Sequence, residues 1–229
     1  MVNKLRNKLQ IVGYYFKLPR KNDVICKKVR FGSDYAGYNV CPHGLNSESI
    51  VYSFGVGEDI SFDLAMISTL GTNVFAFDPT PKSIEWIRQQ EDLPEKLHFY
   101  PYGIADYDGV AYFNPPKNPL HVSHTMLDRP RTADNAVEGK VYTLLTIMNM
   151  LQHSRIDVVK MDIEGAEYAV LENILEANIN VGQFLIEFHH RFENVGWLAT
   201  KNAIILLKSK GYQIFDVSAN LEEYSFIKL

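Results

Sequence analysis

Residues 51–63, VYSFGVGEDISFD, join an apolar segment to a glycine turn and then to two acidic residues at the start of a helical pattern. An apolar, β-prone segment that ends in glycines before a helix is typical of a strand-to-helix turn in an open α/β sheet. Ligands bind such sheets at the carboxyl ends of the strands, where a glycine lets the backbone approach them closely. Gly55 and Gly57 therefore mark the expected ligand site.

The sequence after residue 50 alternates between strand-like and helix-like segments, which predicts βαβ units and a mostly parallel sheet with helices on both faces. The last two strand-like segments, YQIFDVSA and EYSFIKL, are separated by only Asn220, Leu221 and Glu222. That spacing is too short for a helical crossover and predicts a C-terminal antiparallel hairpin in an α/β fold. The earlier strand-like segments are IVYSF, NVFAFD, LHFYPYGIA, IDVVKMDI and QFLIEFH. The helix-like segments are SFDLAMISTL, PKSIEWIRQQ, YTLLTIMNMLQ, EGAEYAVLENILEA and WLATKNAIILLKSKG.

The chain of 229 residues, 46% of them hydrophobic, is long enough for one sizeable core, and we expect a single domain over residues 31–229. Residues 1–30 form a basic extension with nine lysines and arginines against one acidic residue, Asp23. Its predicted amphipathic helix either packs on the domain or touches an anionic membrane surface. An irregular insert is expected at about residues 107–140, where several prolines exclude a regular helix.

Composition predicts a cytoplasmic protein. No apolar stretch reaches the roughly 18 to 20 residues of a membrane span, and the first residues lack the apolar segment of a secretion signal. Cys26 and Cys41 show no metal-like spacing and are expected to be ordinary thiols. The net charge of −4, with no basic stripe among interleaved aromatics, argues against a nucleic-acid partner. The sequence carries no signal for the oligomeric state.

The acidic residues of the glycine turn bear on the ligand. A dinucleotide fingerprint would need a third glycine at Ile60, and Glu58 and Asp59 would repel a pyrophosphate. S-adenosylmethionine suits the turn better, because it carries a sulfonium and an amino group and no phosphate. Asp78, at the end of the next strand, can accept hydrogen bonds from both ribose hydroxyls. These residues therefore predict a methyl-donor site.

Methyl transfer to a hydroxyl requires alignment of oxygen, methyl group and sulfur, and a group that removes the hydroxyl proton. Two strands should end side by side above the cofactor and present Asp162, Glu164, Glu187, His189 and His190. His189 is our leading candidate for the base, because an imidazole titrates near neutrality and Glu187 would hold it from the same face of the strand. The alternative is that His189 only forms a hydrogen bond with a neighbouring loop.

The other residues of this group have open assignments. Asp162 is a candidate base, substrate contact or cofactor contact, and Glu164 is a candidate substrate contact or a cap of the following helix. His190, on the opposite face of the strand, is a candidate substrate contact. Asp162 and Glu187 also offer carboxylates to Mg²⁺, which we do not expect to be required because histidine is a poor ligand for it.

A polar cluster lies between the prolines of the insert and includes His121 and His124. Such a segment can close over a substrate as a lid and exclude water, which makes both histidines candidate substrate contacts. The alternative is a solvated loop or an oligomer contact.

Five stretches of the chain resemble, in order, the motifs of FkbM-type methyltransferases: SFGVGEDISFD, AFDPTPKSIEW, PYGIADYDG, KMDIEGAE and IEFH. The resemblance covers roughly residues 30–229, and KMDIEGAE is its most specific part. It implies the S-adenosylmethionine-dependent class I fold, Rossmann-like with seven strands and antiparallel last strands, and O-methylation of hydroxyls on sugars, polyketides or related metabolites. By position it assigns Ser53, Gly55 and Gly57 to the cofactor loop, Asp78 to the ribose, and Gly103, Ile104, Ala105 and Asp106 to the edge of the adenine. Glu58 and Asp59 depart from the family, where Ala-Asn is frequent.

The expected function is O-methyl transfer from S-adenosylmethionine to a hydroxyl of a sugar, glycoconjugate or secondary metabolite, so that the partner is a small-molecule or glycan acceptor. Two alternatives stay open. One is a non-catalytic module that binds S-adenosylmethionine as a scaffold. The other is a nicotinamide-dependent oxidoreductase, against which the missing third glycine, the acidic turn and the terminal hairpin all count.

Overall fold

The computed structural model describes residues 17–115, 124–127, 136–192 and 194–229. The helices are α1 (Ser61–Leu70), α2 (Pro81–Arg88), α3 (Leu144–Leu151), α4 (Glu167–Glu176) and α5 (Trp197–Ser209). The strands are β1 (Val29–Phe31), β2 (Tyr38–Val40), β3 (Ile50–Phe54), β4 (Asn73–Phe77), β5 (Leu97–Tyr100), β6 (Gly103–Ile104), β7 (Gly109–Phe113), β8 (Val137–Tyr142), β9 (Ile156–Met161), β10 (Val181–Glu187), β11 (Tyr212–Val217) and β12 (Glu223–Lys228).

The central sheet has seven strands in the order β11-β12-β10-β9-β3-β4-β5. Strands β5, β4, β3, β9 and β10 run parallel to one another, and β12 is antiparallel to both β10 and β11. This arrangement confirms the predicted α/β fold, including the C-terminal antiparallel hairpin. The strand order reverses direction between β3 and β9, so the crevice for a ligand is expected at the carboxyl ends of these two strands.

Helices cover both faces of the central sheet, as predicted. On β3, Val51 packs with Phe62 and Met66 of α1, whereas its neighbour Tyr52 faces the cluster that includes residues of α3, α4 and α5. Successive strand residues point to opposite faces, so a strand covered on both sides is apolar throughout rather than alternating. The segment IVYSF has this pattern, which is why the alternation of whole segments predicted the strands correctly.

The predicted irregular insert differs from the structure at its two ends. Strands β7 and β8 pair in an antiparallel ladder, and β6 joins β8 in parallel, which makes a second sheet of three strands. The sequence GVAYF of β7 alternates buried and exposed residues, with Ala111 and Phe113 inside. The prolines that suggested irregular structure lie between the two strands of this ladder rather than within them.

The segment before β1 packs against the C-terminal part of the domain. Leu18 is buried, and the Tyr224 hydroxyl donates to the carbonyl of Pro19. Asp23 accepts a hydrogen bond from the Ile214 N–H and pairs with Lys208. The expected boundary at residue 30 falls inside β1, and residues 1–16, with most of the predicted amphipathic helix, lie outside the described part of the chain. Among the described helices, none is long and apolar enough to cross a membrane.

Candidate active site

A cleft of ≈770 Å³ opens at the carboxyl ends of β3, β4, β9 and β10. Its volume lies within the range of about 300–1,000 Å³ that is typical of small-molecule sites. The turn between β1 and β2 forms a second wall. The lining residues include Asp34, Tyr35, Ala36, Gly37, Tyr38, Phe54, Gly55, Val56, Gly57, Glu58, Asp59, Phe77, Asp78, Pro79, Thr80, Gly103, Ile104, Phe113, His124, Met126, Lys160, Asp162, Ile163, Glu164, Glu187, Arg191 and Glu223.

The glycine turn after β3 lines this cleft and requires its glycines. Gly55 has φ +83° and Gly57 has φ +58°, in the left-handed region that side chains rarely adopt. A Cβ at Gly55 would lie 1.8 Å from the carbonyl oxygen of Asp162. The backbone that follows β3 therefore contacts the backbone that follows β9 at Gly55, where only a glycine fits. This contact lies at the switch point of the sheet, where a ligand crevice is expected.

Asp78 at the end of β4 holds the glycine turn from the side. Its Oδ2 accepts from the N–H groups of Val56 and Gly57, both at 3.0 Å. Its Oδ1 accepts from the N–H and the hydroxyl of Thr80, at 2.9 and 2.6 Å. The structure thus places Asp78 in the cleft, as predicted, and gives it a further part in shaping the turn.

Glu58 and Asp59 line the cleft, but both have protein partners. Asp59 accepts from the Ser61 N–H at 2.7 Å and from the Ser33 hydroxyl at 2.8 Å, which ties the start of α1 to the turn after β1. Burial raises the pKa of Asp59, but these hydrogen bonds outweigh it and lower the pKa overall. Glu58 lies 3.5 Å from the ammonium of Lys82 at the rim. Local hydrogen bonds of Asp59 and the pairing of Glu58 with Lys82 therefore account for part of the acidity that we had assigned to a cationic ligand.

Lys160 supports the glycine turn from within the core. It is 4% exposed, and its ammonium donates to the carbonyl of Gly55 at 2.7 Å. Asp63 lies nearby, where burial raises its pKa to about 6 although Lys160 acts in the opposite direction. Ser53 is fully buried and does not line the cleft, so the structure places it beneath the turn rather than at the ligand.

Two of the four residues that the resemblance assigned to the adenine edge, Gly103, Ile104, Ala105 and Asp106, line the cleft. Gly103 and Ile104 line it beside Pro79. Ala105 instead packs in a separate cluster with Ala111 and Phe113. The structure therefore does not place Ala105 or Asp106 in the lining of the cleft, because Ala105 is buried in that cluster and Asp106 is exposed to solvent.

Three carboxylates form the far side of the cleft. Asp162 follows β9, Glu187 ends β10, and Glu164 lies in the turn before α4 with φ +52°, which is unusual for a residue with a side chain. Burial, and next the charge of Glu187, raise the pKa of Asp162 to about 7. Glu187 is 3.1 Å from Arg191, a cleft residue that the sequence analysis did not single out.

His189 lies behind these carboxylates and does not line the cleft. It is 1% exposed, and its Nε2 is 3.5 Å from Glu164, 3.7 Å from Asp162 and 3.8 Å from Glu187. Burial lowers the pKa of His189, but Glu167, Asp162 and Glu164 together raise it to about 10. An imidazole in this state already holds the proton that a base would have to accept. The structure thus corrects the assignment of His189 as the base.

Glu167 is a further site residue that the sequence analysis did not single out. It is fully buried, and its Oε1 lies 2.9 Å from Nδ1 of His189. The same oxygen accepts from the N–H groups of Ile163 and Gly165. The signal was present in KMDIEGAE, whose last residue is Glu167, three positions after Glu164.

The remaining predicted substrate contacts have different outcomes. His124 lines the cleft. His190 is 1% exposed and outside the cleft, with Nδ1 at 3.1 Å from the Thr200 hydroxyl. Burial, then the charges of Arg191 and His189, lower the pKa of His190 to about 4. The structure therefore does not place His190 at a substrate, and His121 lies outside the described residues.

Two known proteins are similar to this chain in sequence. The human protein named probable methyltransferase-like protein 24 is 26% identical over 155 residues, which cover 66% of this chain and 36% of that protein. Hexuronic acid methyltransferase AglP of Haloferax volcanii is 25% identical over 135 residues, which cover 58% of this chain and 54% of that enzyme. The match thus spans about a third to a half of the length of these relatives.

An rRNA methylase of Streptococcus thermophilus has a solved structure that is 16% identical, with a TM-score of 0.46 over 82% of this chain and 90% of the methylase. The model of the methyltransferase FkbM domain matches residues 41–214, which is most of the chain. That range contains the glycine turn, Asp78 and the three carboxylates of the cleft. The chain therefore belongs to the FkbM methyltransferase family.

Proposed function

We propose that this protein transfers a methyl group from S-adenosylmethionine to an oxygen of a carbohydrate or a related hydroxylated metabolite. The observation that carries the proposal is the contact between Gly55 and the backbone of Asp162 at the switch point of the sheet, with Asp78 facing the same cleft. This arrangement brings a glycine turn, an acid suited to a ribose diol and a set of carboxylates around one space.

The donor half of the site consists of the glycine turn and Asp78. The ribose hydroxyls of the cofactor would donate to the Asp78 carboxylate, and Gly103 and Ile104 would border the adenine. Asp162 lies between this half and the remaining carboxylates, because its backbone packs on Gly55 while its side chain is 33% exposed in the cleft. The methyl group is then directed toward the space beside Asp162.

In the reaction, the acceptor oxygen forms a bond to the methyl carbon while the bond between that carbon and sulfur breaks, which leaves S-adenosylhomocysteine. The hydroxyl proton passes to the carboxylate of Asp162, the acid of this group that packs on the glycine turn. Alignment of the three reacting atoms and a placed proton acceptor are the main requirements of such a displacement. His189 holds positive charge behind the carboxylates rather than taking this proton.

The acceptor class is supported by a relative and by the walls of the cleft. AglP is by its name a methyltransferase of hexuronic acid. Tyr35 is 89% exposed on the turn that forms one wall of the cleft, where an aromatic ring can stack on a sugar. Arg191 lines the opposite side beside Glu187. We therefore propose a sugar or a glycoconjugate as the acceptor.

Calorimetric titration with S-adenosylhomocysteine, repeated with NADH, tests the donor half without knowledge of the acceptor. We expect micromolar binding of the first and none of NADH. Asp78→Asn should weaken the binding of S-adenosylhomocysteine at least tenfold, because the amide loses an acceptor both for the ribose hydroxyls and for the N–H groups that hold the glycine turn. Asp92→Asn is a matched control, because Asp92 is exposed on the loop after α2. Binding of NADH alone would favour the oxidoreductase.

Transfer of labelled methyl from S-adenosylmethionine to a panel of sugars and uronic acids tests the reaction. Asp162→Asn should keep the affinity for S-adenosylhomocysteine within a few-fold and lower turnover by about 10²-fold or more, the usual effect of losing a general base. A wild-type rate in this variant would remove Asp162 from the reaction. Tight cofactor binding with no transfer to any acceptor would favour the scaffold alternative.

A further inference from the structure

We propose that Asp162, Glu164 and His189 bind a divalent metal ion at the base of the cleft. One oxygen or nitrogen atom from each residue lies within 4.8 Å of the others. The Nε2 atom of His189 is 3.5 Å from Glu164 Oε2 and 3.7 Å from Asp162 Oδ1. Two ligands that are each about 2.1 Å from one ion lie roughly 3–4 Å apart, so these spacings suit a shared ion.

The nitrogen of His189 is the observation that distinguishes this group from an ordinary acidic cluster. The side chain is 1% exposed, and within the described part of the chain Nε2 has no hydrogen-bond partner. A buried ring nitrogen without a partner is unusual, because buried polar atoms are almost always satisfied. The atom faces the two carboxylates, and an ion between them would take the place of the proton that Nε2 carries in the metal-free protein, so that His189 binds it as a neutral imidazole.

The other ring nitrogen of His189 is fixed in the way that metal sites require. Nδ1 lies 2.9 Å from Oε1 of Glu167, which is fully buried. A histidine ligand almost always donates its second ring N–H to a carboxylate, a carbonyl or a water, which sets the tautomer and aims the free nitrogen at the metal. Glu167 is therefore a positioning residue for the proposed site.

Hydrogen bonds to the backbone of Glu164 and its neighbours also hold this residue in place. The hydroxyl of Thr125 donates to the Glu164 carbonyl, and Glu167 accepts from the N–H groups on either side of that residue, at Ile163 and Gly165. One buried carboxylate thus positions both the turn that carries Glu164 and the ring of His189. The proposed ligands come from three successive elements of the site: the end of β9, the turn before α4 and the residues after β10.

Two carboxylates and one imidazole favour Mn²⁺, Fe²⁺ or Zn²⁺ over Mg²⁺, which prefers oxygen ligands alone. Asp162 is 33% exposed, so the open side of the ion would face the cleft. If the proposed methyl transfer is correct, an acceptor with two adjacent oxygens, such as a vicinal diol or a hydroxy acid, could occupy the open positions. The second oxygen of Asp162 would still be available for the hydroxyl proton.

Mn²⁺ titration of the EDTA-treated full chain, followed by electron paramagnetic resonance, tests the site without any turnover. We expect one bound Mn²⁺ per chain and, in a pulsed experiment, coupling to one imidazole nitrogen. Asp162→Asn and His189→Gln should each weaken Mn²⁺ binding at least about tenfold, the range found when groups of a metal site are changed. Added Zn²⁺ should displace Mn²⁺ at lower concentration than Mg²⁺ does.

Glu187→Gln is the matched control, because Glu187 carries the same charge 3.8 Å from His189 but is paired with Arg191. It should weaken Mn²⁺ binding less than threefold. An effect as large as that of Asp162→Asn, or a wild-type spectrum without nitrogen coupling, would mean that Mn²⁺ is only attracted by the negative charge and would overturn the proposal. If His189→Gln does not fold, the nitrogen coupling of the wild type and Asp162→Asn still decide it.

Titration of the same samples with S-adenosylhomocysteine separates this proposal from the proposed function. Mn²⁺ binding with nitrogen coupling, in a protein that does not bind S-adenosylhomocysteine, would support the metal site and count against methyl transfer. Binding of S-adenosylhomocysteine without specific Mn²⁺ binding would support the proposed methyl transfer and overturn the metal site.

Discussion

Replacement of Gly55 by alanine is the sharpest test of how the cleft is built. The new Cβ would lie 1.8 Å from the carbonyl oxygen of Asp162, whereas real Cβ contacts are at least 3.0 Å. Either the turn or the end of β9 must move by more than an ångström. That movement would break the hydrogen bonds from Gly55 to Phe77 and from Asp162 to Phe54, both 3.1 Å long.

The expected cost of Gly55→Ala follows from these contacts. A side chain at φ +83° costs about 1–2 kcal/mol, and each lost backbone hydrogen bond costs about 1 kcal/mol. We expect the free energy of unfolding to fall by about 3–5 kcal/mol, which would also put cofactor binding beyond detection.

Gly71→Ala provides the matched control for Gly55→Ala. Gly71 ends α1 with φ +70°, and a Cβ there would meet Ser47 at an ordinary distance of 3.6 Å. This variant should lose only about 1–2 kcal/mol and bind S-adenosylhomocysteine like the wild type. Urea unfolding and calorimetry measure both properties. Equal stability of the two variants, with cofactor binding intact in both, would refute the proposed contact between the glycine turn and β9.

Two further predictions concern charged groups beneath the turn. Burial raises the pKa of Asp63 from 3.8 to about 6, because the folded protein favours the uncharged acid. The stability that this preference gives is complete below pH 3.8 and is lost as the pH rises through 6. Asp63→Asn should match the wild type near pH 4 and exceed its unfolding free energy by about 1–3 kcal/mol at pH 7; parallel curves from pH 4 to 7 would contradict this. Lys160→Met should lower the unfolding free energy by about 1.5–3 kcal/mol, because the Gly55 carbonyl loses a charged donor. Lys140→Met is the control, because Lys140 is exposed on β8, and its unfolding free energy should stay within about 0.5 kcal/mol of the wild type in the same urea titration. If Lys160→Met also changed the unfolding free energy by no more than about 0.5 kcal/mol, Lys160 would have no supporting role.

The fold could be predicted in some detail, because the signals for it are local. Strands buried on both faces are continuous apolar segments, and the helices between them have their own periodicity. The short separation of the last two strands similarly predicted their antiparallel pairing. Strands β7 and β8 of the second sheet were missed because the prolines between GVAYF and VEGKVY dominated the interpretation of the whole segment.

The site was predicted less completely than the fold. The position of Gly55, Gly57 and Asp78 at the cleft could be predicted because a strand end can be recognised from sequence and its geometry is general. The hydrogen bonding of Asp59 across to the turn after β1 depends on Ser33, and the position of His189 depends on Glu167. Each of these pairs joins residues that are more than twenty positions apart in the chain.

The sequence by itself determined the order of the elements of the central sheet, the glycine turn and the set of acids and histidines that could meet at the ends of the strands. Only the tertiary structure decided which of these side chains face the cleft and which charge each of them carries. The physical reason is that periodicity is a local property of the chain, whereas burial and the pKa of a group depend on every charge and dipole packed around it. His189 illustrates the difference, because its imidazole is typical of a base and its surroundings keep it protonated.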